Sequence, residues 1–163
     1  ENKGRYEGLK SAYVGDGNNV ANSWIDAAAR LPIRLSLACP EKYEPEKDIL
    51  ERGMKKAPSG IAIYRAPADA VKDADVIYTD VWTSMGQEAE KEARKKIFRK
   101  YQVNSKLLAR AREDAIVMHC LPAHRGEEIT DDVIDGSHSV VIDQAENRLH
   151  VQKAVMEILI LGG

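Results

Sequence analysis

The sequence is poor in the features that define several classes of protein. It contains two cysteines, Cys39 and Cys120, so neither a disulfide framework nor a cysteine-rich metal site is expected. No apolar run approaches the roughly 18 residues of a membrane-spanning helix, and the first residues show no signal-peptide pattern. Lys and Arg number 24 against 26 Asp and Glu, so no excess of positive charge favours nucleic acid or an anionic membrane. We therefore expect a reduced, cytoplasmic protein that binds neither.

The pattern of apolar residues predicts an α/β protein. Hydrophobic residues make up 44% of the 163-residue sequence, which suits one packed domain. Apolar runs of strand length occur at 10–14, 33–38, 61–64, 74–79, 115–118 and 140–142. Helical patterns separate these runs at 20–30, 45–56, 67–72, 87–98, 106–112 and 144–161. A further short helix is expected after Thr130, whose hydroxyl would cap it. This alternation favours right-handed crossovers. The predicted fold is a Rossmann-like three-layer sandwich, with a mostly parallel sheet and helices on both faces.

Polar side chains collect where the predicted strands end. The first strand is followed by 15–19 (Gly-Asp-Gly-Asn-Asn), the fourth by Asp80 and the fifth by 119–125 (His-Cys-Leu-Pro-Ala-His-Arg), and Arg148 follows the sixth. In open α/β sheets, ligands bind at the carboxyl ends of the strands. Amide, carboxylate, thiol and guanidinium groups at one edge suit a small zwitterionic ligand together with an anion.

Each of these groups also has a purely structural interpretation. Asn18 and Asn19 can donate to a carboxylate near a helix N-terminus, but Asn also tolerates left-handed turns. Asp80 can accept from an ammonium group or cap a helix. Arg148 stands early in the last predicted helix, where the helix dipole prefers acids, so it is either aimed at an anion or simply exposed.

Two catalytic interpretations are disfavoured by the pattern. Cys120 and a histidine could form a nucleophilic pair, but His119 would point to the opposite side of an extended strand, and His124 lies beyond a proline turn. The Gly-x-Gly turn after the first strand begins a dinucleotide fingerprint, but Val20 occupies the place of the third glycine, which argues against NAD.

Together these segments resemble the second domain of the ornithine carbamoyltransferases. The matching stretches lie in the family's order and are 14–20, 80–86, 119–125 and 143–148. The combination of Asp-x-x-x-Ser-Met-Gly with His-Cys-Leu-Pro is specific to this family among carbamoyltransferases. The resemblance implies a reaction in which carbamoyl phosphate and L-ornithine give L-citrulline and phosphate, as part of arginine biosynthesis. It also implies catalysis by positioning and charge stabilisation, with no metal, cofactor or covalent intermediate.

The resemblance assigns ornithine-binding roles to the first two polar turns. Asn19, helped by Asn18, would hold the α-carboxylate together with the backbone of Met85. Asp80 and Ser84 would take the α-ammonium group.

The resemblance places the reacting groups at the third and fourth turns. Cys120, the expected catalytic residue together with Asp80, would lie beside the reacting δ-amine. The Leu121 carbonyl would bind the carbamoyl nitrogen, and Arg148 would reach the oxygens of carbamoyl phosphate. The residues expected to support this turn are His119, Pro122 and Arg125.

The sequence departs from the family pattern in one decisive way. It contains no Ser-x-Arg-Thr-Arg motif, which in the family grips the phosphate in the first domain. Residues 1–163 are therefore expected to form the ornithine-binding domain alone, inactive without a missing N-terminal domain, with the full enzyme a homotrimer or a multiple of trimers. The apolar residues of an amphipathic last helix would then be exposed or covered by a partner; they are Val151, Val155, Ile158 and Leu159.

Three alternatives stay open at this point. The chain could be a module that binds an amino acid without catalysis, a carbamoyltransferase for a related amine such as putrescine or an acetylated ornithine, or a nucleotide-dependent oxidoreductase. The free α-amino acid is favoured over the related amines by Asp80 and by the Ser-Met-Gly sequence at 84–86.

Overall fold

Strands and helices alternate along the chain in the computed structural model, which describes residues 1–83 and 91–162. The strands in these ranges are β1 (Lys10–Val14), β2 (Arg34–Ala38), β3 (Ile61–Tyr64), β4 (Val76–Thr79) and β5 (Ile116–His119). The helices are α1 (Asn19–Ala28), α2 (Lys47–Lys56), α3 (Pro67–Val71), α4 (Lys91–Phe98), α5 (Ser105–Leu108), α6 (Asp131–Ile134) and α7 (Val141–Leu161). The predicted α/β class is confirmed.

The order of the strands brings three of the predicted polar turns together. The sheet formed by the described residues has the order β3-β2-β1-β4-β5, and all neighbouring strands are parallel. Along the chain, β2 and β3 are added on one side of β1, and β4 and β5 are then added on its other side. The direction in which strands are added therefore reverses between β1 and β4. In the sheet register, Val14 pairs with Thr79 and Thr79 with His119. The turns after β1, β4 and β5 therefore emerge side by side at a topological switch point, where such sheets bind ligands.

Both faces of the sheet are covered. Because side chains alternate along a strand, Ala12 and Val14 join a core cluster with α3 and α6, whereas Tyr13 joins a second cluster with α1. Burial on both faces explains why the strands are almost continuously apolar. This arrangement confirms the predicted three-layer sandwich.

The predicted sixth strand is wrong. Ser139 makes only an isolated bridge to Val117, and the Val140 N–H donates to the Val117 carbonyl at 3.0 Å before α7 begins at Val141. A run of three apolar residues does not distinguish a strand from the first turn of a buried helix. Thr130 is the N-cap residue of α6, as predicted, but its hydroxyl does not make the expected capping hydrogen bond.

The α4 region is partly buried, although its sequence is rich in charged residues. Its predicted start at residue 87 falls outside the described residues. In the described part, Arg94 and Phe98 are buried, and the Phe98 ring stacks near Trp82 with centroids 5.9 Å apart. This charge-rich segment therefore contains an arginine that is buried in the fold.

Helix α7 projects its apolar side chains into solvent. Val141 is its one buried residue, and the expected exposure of the apolar residues is observed: Val151 59%, Val155 47%, Ile158 61% and Leu159 78%. The helix is not amphipathic at its end. Successive residues of a helix are rotated by about 100° around its axis, so four consecutive apolar residues cover all sides; they are Ile158, Leu159, Ile160 and Leu161. None of the helices in the described ranges has the length and apolarity needed to cross a membrane.

Candidate functional site at the carboxyl edge of the sheet

A buried carboxylate joins the turns after β1, β4 and β5. Asp80, 6% exposed, accepts at Oδ2 from the Asn18 side-chain amide at 2.8 Å. Its Oδ1 accepts from the Cys120 thiol at 3.0 Å and from the Val81 N–H at 2.8 Å. Three of the sequence-predicted site residues, far apart along the chain, therefore meet at one carboxyl group.

The two predicted asparagines occupy different positions. Asn18 caps α1: its Oδ1 accepts from the Val20 N–H at 2.9 Å and the Ala21 N–H at 3.3 Å. Its φ of −76° is not left-handed, so the alternative of a left-handed turn does not apply. Asn19 is the first residue of α1 and is exposed. Asn18 is thus fixed by the helix and by Asp80, whereas the Asn19 side chain lies at the solvent-exposed end of α1.

The β1 turn is shaped by a close approach of two backbones. A Cβ on Gly17 would lie 2.2 Å from the Pro45 nitrogen, and the Gly17 N–H donates to the Tyr43 carbonyl at 2.9 Å. Only glycine fits this contact. Gly17, the second glycine of the turn that begins like a dinucleotide fingerprint, is therefore explained by packing against the segment that precedes α2.

A buried arginine, which the sequence did not reveal, ties the β1 turn to the β4 turn. The Arg94 guanidinium pairs with Asp16, its Nε donates to the Trp82 carbonyl at 2.6 Å, and it lies 4.7 Å from the centre of the Tyr43 ring. Burial raises the pKa of Asp16, although the charge of Arg94 acts in the opposite direction. This network supports the Asp80 cluster from the α4 side.

The chemical state of the Cys120 thiol follows from its surroundings. Burial raises its pKa to about 12, and the hydrogen bond to Asp80 acts in the same direction. The thiol is therefore protonated at neutral pH and donates a proton to the carboxylate, whereas a nucleophilic cysteine needs a depressed pKa. Burial also raises the pKa of neighbouring Tyr78. The geometry does not favour a covalent thiol mechanism.

The His119 ring is hydrogen-bonded to groups other than Cys120, although one of its nitrogens lies within 4.8 Å of the Cys120 sulfur, closer than an extended strand predicts. It is fully buried. Its Nδ1 accepts from the Leu121 N–H at 2.8 Å, and its Nε2 lies 3.0 Å from Glu128 Oε1. Leu121 has a positive φ of 55° and precedes exposed Pro122 through a cis peptide bond. Glu128 was missed by sequence reasoning, because nothing in the local sequence distinguishes it from Glu127.

Arg125 lies on the outside of the same turn. Its guanidinium contacts Asp131 at 2.9 Å and Asp135 at 2.5 and 2.8 Å, at the two ends of α6. With two carboxylates already beside it, Arg125 is placed to support the turn rather than to receive an anion.

Arg148 is placed by the first turn of α7. The side chain of Gln144 accepts from the His119 N–H at 3.0 Å and donates to the Tyr78 hydroxyl at 3.2 Å, so α7 runs alongside β5 towards the carboxyl edge. Arg148 follows Gln144 by one turn of α7, a rise of about 5.4 Å along the helix axis, and its side chain is exposed. The dipole argument does not apply to it, because α7 begins earlier than predicted and the effect is confined to the first turn.

Two further predictions concern Ser84, Met85 and metal binding. Ser84 and Met85 lie outside the described residues.

Asp80, His119 and Cys120 each offer one ligand atom within 4.8 Å of the others, but both ring nitrogens of His119 already have hydrogen-bond partners. The described cluster is arranged as a hydrogen-bond network, and a metal could enter only by breaking it.

Comparison with known proteins identifies the family of this chain. The family model for the Asp/Orn binding domain of aspartate/ornithine carbamoyltransferase matches residues 7–159. The chain belongs to this family. It is 68% identical over 160 residues to ornithine carbamoyltransferase from Syntrophus aciditrophicus, which covers 98% of this chain and 53% of that protein.

Solved structures of ornithine carbamoyltransferases share the fold closely. The enzyme from Pyrococcus furiosus matches with a TM-score of 0.91 and 56% identity, over 95% of this chain and 50% of that one. The anabolic enzyme from Campylobacter jejuni matches with a TM-score of 0.92 and 38% identity, over 99% and 55% of the two chains. This member of the carbamoyltransferase family thus spans about half the length of the relatives it matches.

Proposed function

We propose that this chain supplies the L-ornithine-binding half of an ornithine carbamoyltransferase. The observation that carries the proposal is the buried Asp80 carboxylate, held by Asn18 and Cys120 at the switch point between β1 and β4. Family membership supports a carbamoyltransferase, and the names of the similar proteins support ornithine as the amino acid.

In this proposal Asp80 receives the α-ammonium group of ornithine. A carboxylate has about four acceptor positions, and the three described donors leave one of them, on Oδ2, unfilled. Ser84 would be the second acceptor for the ammonium group. Asn19 and the Met85 backbone, with Asn18 behind them, would hold the α-carboxylate near the N-terminus of α1, where the helix dipole favours negative charge.

The reaction itself requires positioning and charge stabilisation. The δ-nitrogen lone pair forms the new bond to the carbamoyl carbon, the bond from that carbon to the phosphate oxygen breaks, and the amine loses a proton as phosphate leaves with the electron pair. Cys120, a neutral thiol, would lie beside the δ-amine, and the Leu121 carbonyl would accept from the carbamoyl nitrogen. Arg148, one turn of α7 beyond Gln144, would stabilise charge on the phosphate oxygens.

The proposal includes a partner for this half. We propose that carbamoyl phosphate is held mainly by a second domain of about equal length, that the complete enzyme is a cytoplasmic homotrimer or multiple of trimers, and that residues 1–163 alone do not turn over. The share of each relative that this chain covers, about 53% for the Syntrophus protein, supports the two-domain arrangement.

An assay of citrulline formation tests this function. The chain is assayed alone and joined to the N-terminal half of the Syntrophus relative, with carbamoyl phosphate and L-ornithine. We expect turnover only in the joined protein, and a loss of at least about 100-fold on Asp80→Ala because a charge-assisted contact to the ammonium group disappears. Putrescine, which has no α-carboxylate, should be a poor acceptor.

Two results would contradict the proposal. Turnover by the chain alone would show that the second domain is not needed. A folded joined protein that forms no citrulline, or that forms it equally well with Asp80→Ala, would refute the assignment of the site.

A further inference from the structure

The outer edge of the sheet is completed by the segment that leads into α7. β5 is the outer strand in the described sheet, so one side of its backbone faces this segment instead of another strand. On that side the Val117 N–H donates to the His138 carbonyl at 2.8 Å, and the Val117 carbonyl accepts from the Val140 N–H at 3.0 Å. The chain then turns into α7, so its backbone no longer runs along the next donor of β5.

The side chain of Gln144 takes the place of a backbone peptide at that donor. The His119 N–H points to the same side of β5 as the Val117 N–H, because alternate N–H groups of a strand share a side, and it donates to Gln144 Oε1 at 3.0 Å. The nitrogen of the same amide donates to the Tyr78 hydroxyl at 3.2 Å. Gln144 therefore uses both its acceptor and its donor group, as a peptide unit does.

Gln144 is one of two points that attach the start of α7 to the sheet. Val141 is the one buried residue of the helix, and Gln144 follows it by three residues, so both lie on the face of α7 that meets the sheet. From residue 148 onwards the described part of the helix is exposed. Two attachment points close to its start therefore set the direction of α7 and its rotation about its own axis.

The rotation of α7 determines the direction in which Arg148 projects. Gln144 and Arg148 are four residues apart, so they share one face of the helix. The chain meets β5 at Val140 and again, through the Gln144 side chain, at His119, so α7 advances in the direction in which β5 ends. Arg148 stands one helical turn further in that direction.

We infer that Gln144 is a positioning residue, which sets the orientation of α7 and thereby the place of Arg148 relative to the Cys120–Leu121 turn. This inference rests on the proposed function, in which Arg148 stabilises the phosphate oxygens and Cys120 lies beside the amine. The amide that orients the helix is bonded to the residue that precedes Cys120. Gln144 thus connects the part of the site that receives the anion to the part that receives the amine.

Two substitutions at this position separate the hydrogen bonds from the length of the side chain. Gln144→Met keeps the length but removes both bonds. Gln144→Glu keeps an acceptor for the His119 N–H, and its second oxygen can accept from the Tyr78 hydroxyl once that hydroxyl turns. If the hydrogen bonds orient α7, the glutamate variant should retain the orientation that the methionine variant loses.

A second glutamine provides a matched control. The side-chain nitrogen of Gln102 donates to the Gly126 carbonyl at 2.8 Å and to the Glu127 carbonyl at 2.9 Å. Gln102→Met therefore removes two hydrogen bonds of the same kind at a place that is not on α7. Its effects measure the general cost of such a loss.

The orientation of α7 is measured by residual dipolar couplings of the ¹⁵N-labelled chain. We expect Gln144→Met to change the couplings of the α7 amides relative to those of the sheet, whereas Gln144→Glu and Gln102→Met keep the couplings of the parent chain. Hydrogen exchange of the His119 N–H should become at least about tenfold faster in Gln144→Met, the usual scale of one lost hydrogen bond.

The effect on the anion is measured in the joined protein, with inorganic phosphate as an inhibitor of citrulline formation. Gln144→Met should weaken this inhibition and raise the KM for carbamoyl phosphate about tenfold, because a charge-assisted contact is displaced, while the KM for L-ornithine changes less than about threefold. In an Arg148→Met background the same substitution should add less than about twofold, because Gln144 acts through Arg148.

The inference is overturned if Gln144→Met keeps the α7 couplings of the parent, if Gln102→Met weakens phosphate inhibition as much, or if the effect of Gln144→Met is the same with and without Arg148. Failure of the proposed function looks different. If the joined parent protein forms no citrulline, that function fails, while the couplings still test whether Gln144 orients α7. If the parent forms citrulline and Gln144→Met retains full inhibition by phosphate, the positioning role fails and the proposed function stands.

Discussion

The carboxyl edge of the sheet and the second half of α7 differ in how this chain completes them. At the edge, Asp80, Asn18, Cys120 and His119 find hydrogen-bond partners within the chain. Along α7, the apolar side chains of the last two turns are 47–78% exposed. The edge is therefore organised by these 163 residues themselves, whereas exposed apolar surface of this kind marks a place where another surface binds.

The largest effect on stability is expected at the edge. Arg94→Met leaves Asp16 as a buried carboxylate without its cation, which should lower the free energy of unfolding by about 3–5 kcal/mol. Urea denaturation followed by circular dichroism measures the change. Arg125→Met, which removes an exposed arginine from Asp131 and Asp135, is the control and should have a much smaller effect. Equal losses from the two variants would contradict the buried tie between the β1 and β4 turns.

The alkaline behaviour of Cys120 gives the next largest effect. Its pKa of about 12 in the fold lies above the 9.0 of a free cysteine thiol, so the folded chain retains the thiol proton more strongly than the unfolded chain. The associated stability is fully present below pH 9 and is lost as the pH rises through 12. Alkylation of Cys120, followed by peptide mass spectrometry, should show a rate that keeps rising with pH up to about pH 12, whereas the rate of an ordinary thiol levels off near pH 9.

A charge-removing variant sharpens that measurement. Asp80→Asn removes the negative charge that helps to raise the pKa of Cys120, so the alkylation profile should move to lower pH. Cys39, whose pKa burial raises to about 12, provides an internal control that should not move. A Cys120 profile centred near pH 9 in the parent chain would contradict the described contact with Asp80.

The smallest effect on folding is expected at α7. Leu159→Glu and Ile160→Glu, at positions 78% and 77% exposed, should change the free energy of unfolding by no more than about 0.5 kcal/mol. Sedimentation velocity should show less self-association, because the apolar surface becomes charged. A large loss of stability would show that the end of α7 packs within this chain, which would remove the contrast between the two regions.

The sequence was sufficient to predict the architecture, because the apolar residues of each strand and helix follow the periodicity of that type of element. It also located three polar turns, since parallel strands end at one edge. It did not separate Asn18 from Asn19, because a shift of one residue at the start of α1 decides which amide caps the helix. It gave no sign of Glu128 or Arg94, whose burial depends on contacts with distant segments rather than on the local pattern. The run at 140–142 was too short to show that it belongs to the start of α7 rather than to a sixth strand.

The central claim is that ornithine binds where β1, β4 and β5 end around Asp80. An NMR titration of the ¹⁵N-labelled chain with L-ornithine tests it most directly. We expect shifts confined to the amides near 15–19, 80–83 and 119–121, and their loss in Asp80→Ala. Val71→Ala, a core variant at the end of α3 and outside these segments, is the control and should keep the shifts. Shifts centred elsewhere, or a response to ornithine that Asp80→Ala preserves, would contradict it.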